Sequence, residues 1–206
     1  MSKPDAELTK YIGETILPQY NTFDKAHDIN HAIQVIQDSI QIAADYDVDC
    51  NMVYAIAAYH DLGLSLGRRD HEKRSGEILQ SDTALKQWFS AEQINIMKEA
   101  VEDHRASNDW EPRTIYGKIV SEADRNVSYH TVLMRTIQYS LAHYPDYTAK
   151  QHYDRTYEHI QEKYGDNGYL KLWLQTKKNS QGLAEIRSKL RDIDEFFVDF
   201  HKYYQS

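Results

Sequence analysis

From Met52 to Ala58 the chain is apolar almost all round a helix, and the run ends in Tyr59-His60-Asp61-Leu62-Gly63. A helix without a polar face has to be enclosed by other elements. Asp49 has the side chain of an N-cap, and Gly63 can take the left-handed conformation that terminates helices. The rest of the chain must therefore form a shell around this helix. That shell has to accommodate an imidazole and a carboxylate delivered side by side at the helix end.

The shell reads as helical. Four prolines and eight glycines in 206 residues leave little room for many tight β-turns. Leu8, Ile12, Thr15 and Ile16 recur at helical spacing over residues 5 to 19, with Pro18 as the expected stop. Ile29, Ile33, Ile36, Ile40 and Ala43 form the stripe of an amphipathic helix entered at Asp28 or Asn30, and His31 lies in its first turn. Asp70 reads as the N-cap of a helix through about Gln80, starting at His71 and turning Ile78 and Leu79 inward. Ser90-Ala91-Glu92-Gln93 is a capping box, after which Ile94, Met97, Val101 and His104 continue one face. Pro112 suits the first turn of a helix that places Tyr116, Val120 and Asp124 together. Beyond Tyr129 the helical pattern continues with plainer chemistry, through Val132 to Leu141, Tyr153 to Tyr164, Leu170 to Leu174 and Leu183 to Phe200. No linker rich in Pro, Gly or Ser cuts the chain, so the expectation is all-α, with residues 1–206 as a single domain.

Charge and cysteine content narrow the function. A formal net charge of −8 without a Lys/Arg run argues against polymeric nucleic acid or an anionic membrane as partner. No window approaches the length of a membrane-spanning helix, and the N-terminus lacks a basic-then-apolar export pattern. The single Cys50 cannot pair within the chain. These features lead to the expectation of a cytoplasmic protein, monomeric or homodimeric, acting on a small molecule.

In chain order the candidate site residues are His31, His60, Asp61, His71, His104 and Asp124. A His-Asp dipeptide at a helix end has an ordinary explanation in the helix dipole when it stands alone. Here further histidines and a carboxylate occupy helix ends or inward faces before and after it. Imidazole and carboxylate together suit divalent manganese, iron, nickel, magnesium or zinc. A cation of that kind offsets phosphoryl charge and lowers the pKa of bound water, which makes metal-assisted phosphate ester hydrolysis the natural reaction class.

His31, His60-Asp61-Leu62-Gly63 and Glu122-Ala123-Asp124 resemble the H…HD…D motif of the HD-domain superfamily of metal-dependent phosphohydrolases, over roughly residues 24 to 130. The resemblance implies an HD-domain helical bundle at 24–130, with 131–206 as a C-terminal helical extension packed on it. It implies His31, His60, Asp61 and Asp124 as ligands of one divalent metal, and hydrolysis by a phosphatase, phosphodiesterase or nucleotide pyrophosphohydrolase. Members with two metals resemble this sequence in carrying two extra histidines between the HD pair and the last aspartate. His71 and His104 would then hold a second metal with Asp61 as the bridge; elsewhere in the family such histidines contact substrate phosphate around one metal.

Arg68, Arg69, Lys73, Arg74, Arg105, Lys118 and Arg125 flank these positions. Arg105 and Arg125 directly follow His104 and Asp124 and are the expected phosphate clamps, since a guanidinium binds phosphate oxygens bidentately. For Arg68, Arg69 and Arg74 salt bridging to nearby acids is at least as good an account, and Lys118 can pair with Glu122 one turn on. The catalytic set expected is His60, Asp61, His71, His104, Arg105 and Arg125, acting on a small phosphorylated substrate such as a nucleotide. The alternative is a catalytically silent HD module that binds a metal and a nucleotide.

Overall fold

The structure, a computed structural model, describes residues 3–24, 27–105, 108, 110–125 and 127–205. The described residues form ten α-helices and no strand, in two compact units, Met1–Asp124 and Arg125–Ser206.

The first unit is built round the apolar helix. Helix α1 (Ala6–Tyr11) is followed by a π-helical segment, Ile12–Ile16, and a 3₁₀ segment, Leu17–Thr22. Pro18 thus lies in the first turn of that 3₁₀ segment rather than ending the helical path, because a ring without an N–H is tolerated where no intrahelical donor is needed. Helix α2 (Ile29–Ala43) is capped by Asp28, which accepts from the amides of Asn30 and His31. Its buried face is Ala32, Val35, Ile36, Ser39 and Ala43, while Ile33 is exposed. The inward stripe therefore uses smaller residues than the isoleucine spacing predicts, and these allow close approach to α3.

Helix α3 (Cys50–Tyr59) carries the Asp49 cap and is buried on nearly every side, including Met52, Val53 and Ala55 to Tyr59. Helices α2 and α5 (Ala91–Glu102), together with α6 (Ile115–Asp124), pack against it, and α4 (His71–Ser81) packs on α5 and on a 3₁₀ turn, Leu62–Leu66. Leu8, Ile12, Ile16 and Tyr20 share one core with Ile56, Leu79, Met97 and Val120, so the N-terminal segment belongs to the same hydrophobic body as the site-bearing helices. The capping box at Ser90 and Gln93 forms as expected. Pro112 precedes α6 by three residues and would contact a Cβ on Gly117, which makes it a packing residue of the approach loop.

Two local expectations are corrected. The left-handed glycine is Gly67, with φ 104°, and Gly63 is required for a different reason. A Cβ on Gly63 would lie 2.1 Å from the His71 carbonyl oxygen and 2.7 Å from the Ser75 nitrogen, so the glycine lets the chain pass against the start of α4. Asp70 precedes α4 at φ 54° and makes no side-chain cap, and its short polar side chain suits this left-handed position.

The second unit holds α7 (Tyr129–His143), α8 (Ala149–Tyr164), α9 (Lys177–Arg191) and α10 (Ile193–Tyr204). The expected helix at Leu170–Leu174 is absent, and the expected run from Leu183 to Phe200 is broken at Asp192, whose side chain caps α10. Leu170 and Leu174 are nonetheless buried, so their apolar spacing reports burial and not a helix.

Candidate metal centre

The six candidate ligands converge in the first unit from five places. His31 comes from the first turn of α2, His60 and Asp61 from the end of α3, His71 from the start of α4, His104 from just beyond α5, and Asp124 from the end of α6. They fall into two groups: His31, His60 and Asp124 form one, and Asp61, His71 and His104 the other, each with donor atoms within 4.8 Å of one another.

Asp61 joins the two. Its Oδ2 lies 3.6 Å from His31 Nε2 and 3.3 Å from His60 Nε2, and its Oδ1 lies 3.2 Å from His71 Nε2 and 3.4 Å from His104 Nε2. Within the first group His31 Nε2 is 3.2 Å from both His60 Nε2 and Asp124 Oδ1, and His60 Nε2 is 3.9 Å from Asp124 Oδ1. Bonds of about 2.1 Å to a common cation would place neighbouring donors about 3.0–3.4 Å apart, so all of these separations except the 3.6 Å and 3.9 Å pairs match ligands around a small divalent ion.

Hydrogen bonding supports the same fit. Nδ1 of His60 lies 2.8 Å from the Ala57 carbonyl oxygen, Nδ1 of His104 lies 2.6 Å from that of Val101, and Nδ1 of His71 lies 3.1 Å from that of Arg68. A carbonyl only accepts, so each of these Nδ1 atoms carries the proton. In the neutral ring Nε2 is then left with its lone pair facing the cluster. Lone pairs and carboxylate oxygens crowded at these distances repel unless positive charge sits among them.

The pKa shifts have the same origin. Burial pulls the His31 pKa down, but hydrogen bonds and charge from Asp124 and Asp61 overcome this and raise it to about 10. His104 is also raised, with Asp61 outweighing its burial. Burial favours a neutral Asp61, yet His60, His104 and His31 hold its carboxyl well below the usual range. Asp124 is lowered against its burial, chiefly by the His31 hydrogen bond. The two carboxylates stay ionised and draw positive charge towards them, as protons or as a cation.

Several supporting residues have little signature in the sequence. Tyr20 is fully buried, donates to the Ala58 carbonyl at 3.0 Å, accepts from the Asp61 amide at 3.3 Å and stacks on His60. Asp82 accepts from both Tyr11 and Tyr59 at 2.5 Å, tying α3 to the N-terminal helix. Asp103, 2% exposed, accepts from the amide and guanidinium of Arg113 and so braces the chain directly before His104. Glu72, beside His71, is buried with Oε2 3.3 Å from Arg105 Nη1 and 3.5 Å from His71 Nδ1. A carboxylate next to a site histidine was the only local signal for any of these; the Tyr20 and Arg113 pairings span long sequence separations.

The basic residues divide. Arg105 reaches Glu72 and remains part-exposed, whereas Arg68 pairs with Asp24, Arg69 with Asp70, and Arg74 donates to the carbonyls of Leu66 and Gly67. Lys118 pairs with Glu111, not with Glu122 one turn on, since the helix starts only at Ile115 and leaves Glu111 free to fold back. Arg125 is buried and opens the second unit directly after Asp124, so its expected clamping role rests on its place in the sequence.

A model of the HD domain matches residues 28–126, a span from the cap of α2 to two residues past Asp124 that contains all six donors. Among solved structures the chain is similar to a protein from an uncultured Thermotogales bacterium described as a predicted HD superfamily hydrolase. That likeness has a TM-score of 0.52 at 18% identity and covers 95% of this chain and 92% of the other, and at such identity it speaks for the fold. Comparison with curated proteins found no match. Helical architecture, motif order and convergent donors agree with the family match: residues 28–126 are an HD domain, a member of the HD-domain superfamily.

Proposed function

We propose that the protein is a divalent-metal-dependent phosphohydrolase that cleaves a phosphoester or phosphoanhydride bond of a small phosphorylated metabolite, in the first instance a nucleotide. The observation that carries this reading is Asp61, a buried carboxylate whose two oxygens each close a separate group of imidazole donors. His31, His60, Asp124 and Oδ2 of Asp61 would hold one cation, and His71, His104 and Oδ1 of Asp61 a second. A divalent cation bound there supplies a Lewis acid for a phosphoryl oxygen and makes water a nucleophile near neutral pH.

The chain's own groups do the positioning. The backbone carbonyls of Ala57, Arg68 and Val101 fix the tautomers of His60, His71 and His104, so these rings need no reorganisation before they bind. Arg105, held by Glu72, keeps further N–H groups for phosphate oxygens, and Arg125 is the second clamp in this reading. In hydrolysis a water oxygen bonds to phosphorus as the P–O bond to the leaving group breaks, and a proton from that water ends on the leaving oxygen. The guanidinium of Arg105 would offset the negative charge that grows on the phosphoryl oxygens, as would divalent cations held by the ligands named above. The description of the Thermotogales protein as a hydrolase supports the same reaction class. A net charge of −8 favours a small substrate over polymeric nucleic acid. No described helix is long and apolar enough to cross a membrane, and together with the single Cys50 this supports a cytoplasmic setting.

The test is elemental analysis of protein purified without chelator, paired with phosphate release from nucleotides and sugar phosphates with and without manganese. Stoichiometric metal and metal-dependent release, both lost in His60→Ala, are expected. Bound metal and nucleotide without turnover would establish the silent binding module instead.

A further inference from the structure

Tyr20 stands in the 3₁₀ segment Leu17–Thr22, ahead of the HD-domain residues 28–126, yet its hydroxyl lies at the point where α3 ends and Asp61 begins. The last carbonyls of a helix have no amide of a following turn to accept from. In α3 two of them are met by side chains. The Ala57 carbonyl lies 2.8 Å from His60 Nδ1, and the Ala58 carbonyl accepts from the Tyr20 hydroxyl at 3.0 Å. A phenol has one proton to give, and with it directed at Ala58 the oxygen's lone pairs are left for the Asp61 amide, 3.3 Å away.

That amide belongs to the residue on which the two donor groups meet. Asp61 leaves the helix with φ −111° and ψ 5°, and its carbonyl accepts from the Leu64 amide at 3.0 Å to start the 3₁₀ turn. Leu64 and Tyr20 thus hold the Asp61 backbone at both of its polar groups. Direction matters because the side chain is short: a rotation of the backbone carries straight to Oδ1 and Oδ2, which have imidazole nitrogens at 3.2–3.6 Å. Tyr20 is itself held in place. Its ring is fully buried, stacks on His60 with centroids 6.4 Å apart and packs on Phe23 at 5.2 Å, in the core shared with Leu8, Ile12 and Ile16.

Resting on the metal-centre reading above, we propose that Tyr20 is a positioning residue for Asp61: its hydroxyl fixes the backbone at the end of α3 and so aims the two carboxylate oxygens, one at each group of imidazoles. The N-terminal segment is then a working part of the metal centre as well as a cover over the hydrophobic core. The group with most to lose is Asp61, His71 and His104, which keeps only two imidazoles when the carboxylate swings away, whereas His31, His60 and Asp124 keep three donors.

Tyr20→Phe keeps the ring and deletes the hydroxyl. In calorimetric titration of the full chain with manganese, at least one Kd should rise about 10- to 100-fold, the range for loss of a partner behind a metal ligand. Tyr11→Phe is the control, since it deletes another hydroxyl of the N-terminal segment whose partner, Asp82, is no candidate ligand; it should lower Tm and leave manganese affinity unchanged. Crystal structures of native and Tyr20→Phe protein without metal give a second readout: the variant should lose at least one of the four contacts between Asp61 and the imidazoles. Where Tyr20→Phe impairs folding, 4-aminophenylalanine at position 20 keeps a donor for Ala58 but only a weak acceptor for Asp61, and should weaken manganese binding in the same direction. An unchanged manganese Kd in the folded variant, an equal change in Tyr11→Phe, or an unmoved Asp61 carboxylate would each overturn the proposal. Native protein that binds no manganese would overturn the metal-centre reading, and a displaced carboxylate in metal-free Tyr20→Phe would still uphold the positioning role.

Discussion

Replacing Asp61 by Asn keeps the side-chain shape in a position that is 3% exposed, so the change acts through charge and donor type with little effect on packing. His31, His60 and Asp124 remain a three-donor group, whereas His71 and His104 are left as a bare pair of imidazoles. Manganese stoichiometry should therefore fall from two per chain to one. A ligand present at a hundredfold over its Kd stabilises the folded state by about 2.7 kcal/mol, which for a chain of this size raises Tm by roughly 5–10 °C per site. Saturating manganese should raise Tm by about twice that in the native protein and by one such step in Asp61→Asn. Elemental analysis after desalting and thermal melts across a manganese titration read both quantities. His71→Ala should also bind one manganese, because it removes a donor from the second group only. Two manganese ions retained in Asp61→Asn would refute the bridging role, and one in the native protein would refute the two-metal arrangement.

Three other outcomes are expected. In metal-free protein the raised His31 contributes stability that is fully present below about pH 6.5 and is lost as pH rises through about 10, while the lowered Asp61 contributes stability lost in acid. Manganese affinity should rise over that alkaline window as the proton leaves His31; melts from pH 6 to 10 with and without metal that run parallel would contradict this. Arg105→Ala should weaken inorganic phosphate binding and cost about 1–3 kcal/mol by leaving Glu72 buried without its cation, as read by denaturant unfolding. Adding Glu72→Gln should restore the stability but not the phosphate affinity, and recovery of both would show that Arg105 has no part in phosphate binding. Gly63→Ala must displace the start of α4, because its Cβ would overlap the His71 carbonyl; a loss of about 1–3 kcal/mol or more together with the second metal is expected, and a variant with native Tm and metal content would disprove the close approach.

Much of this protein is legible along the chain because its signals are local. The Asp28, Asp49 and Ser90 caps form as read, since a cap needs only a side-chain oxygen two or three residues from the amides it accepts. The apolar run from Met52 to Ala58 is the central buried helix, because a helix without a polar face has no stable place at the surface. The order His31, His60-Asp61, Asp124 suffices to suggest the family, and His71 and His104 were candidates before any geometry was known. Apolar spacing was a poorer guide: Ile33 points outward despite its place in the stripe, and Leu170 and Leu174 are buried as their spacing suggests but lie outside any helix.

Tertiary structure decided what depends on atoms far apart in sequence. Only packing shows that Asp61 turns one oxygen to each group of histidines, that backbone carbonyls set three of the imidazole tautomers, and that Glu72 holds Arg105 beside His71. Gly63 was noticed as a helix terminator, yet its constraint is a carbonyl belonging to a residue eight positions later. Sequence alone thus determined which donors this protein has and on which helix ends they sit. Their grouping around a shared carboxylate was decided by the fold, because metal-ligand distances are set by how α2 to α6 pack and not by spacing along any one of them.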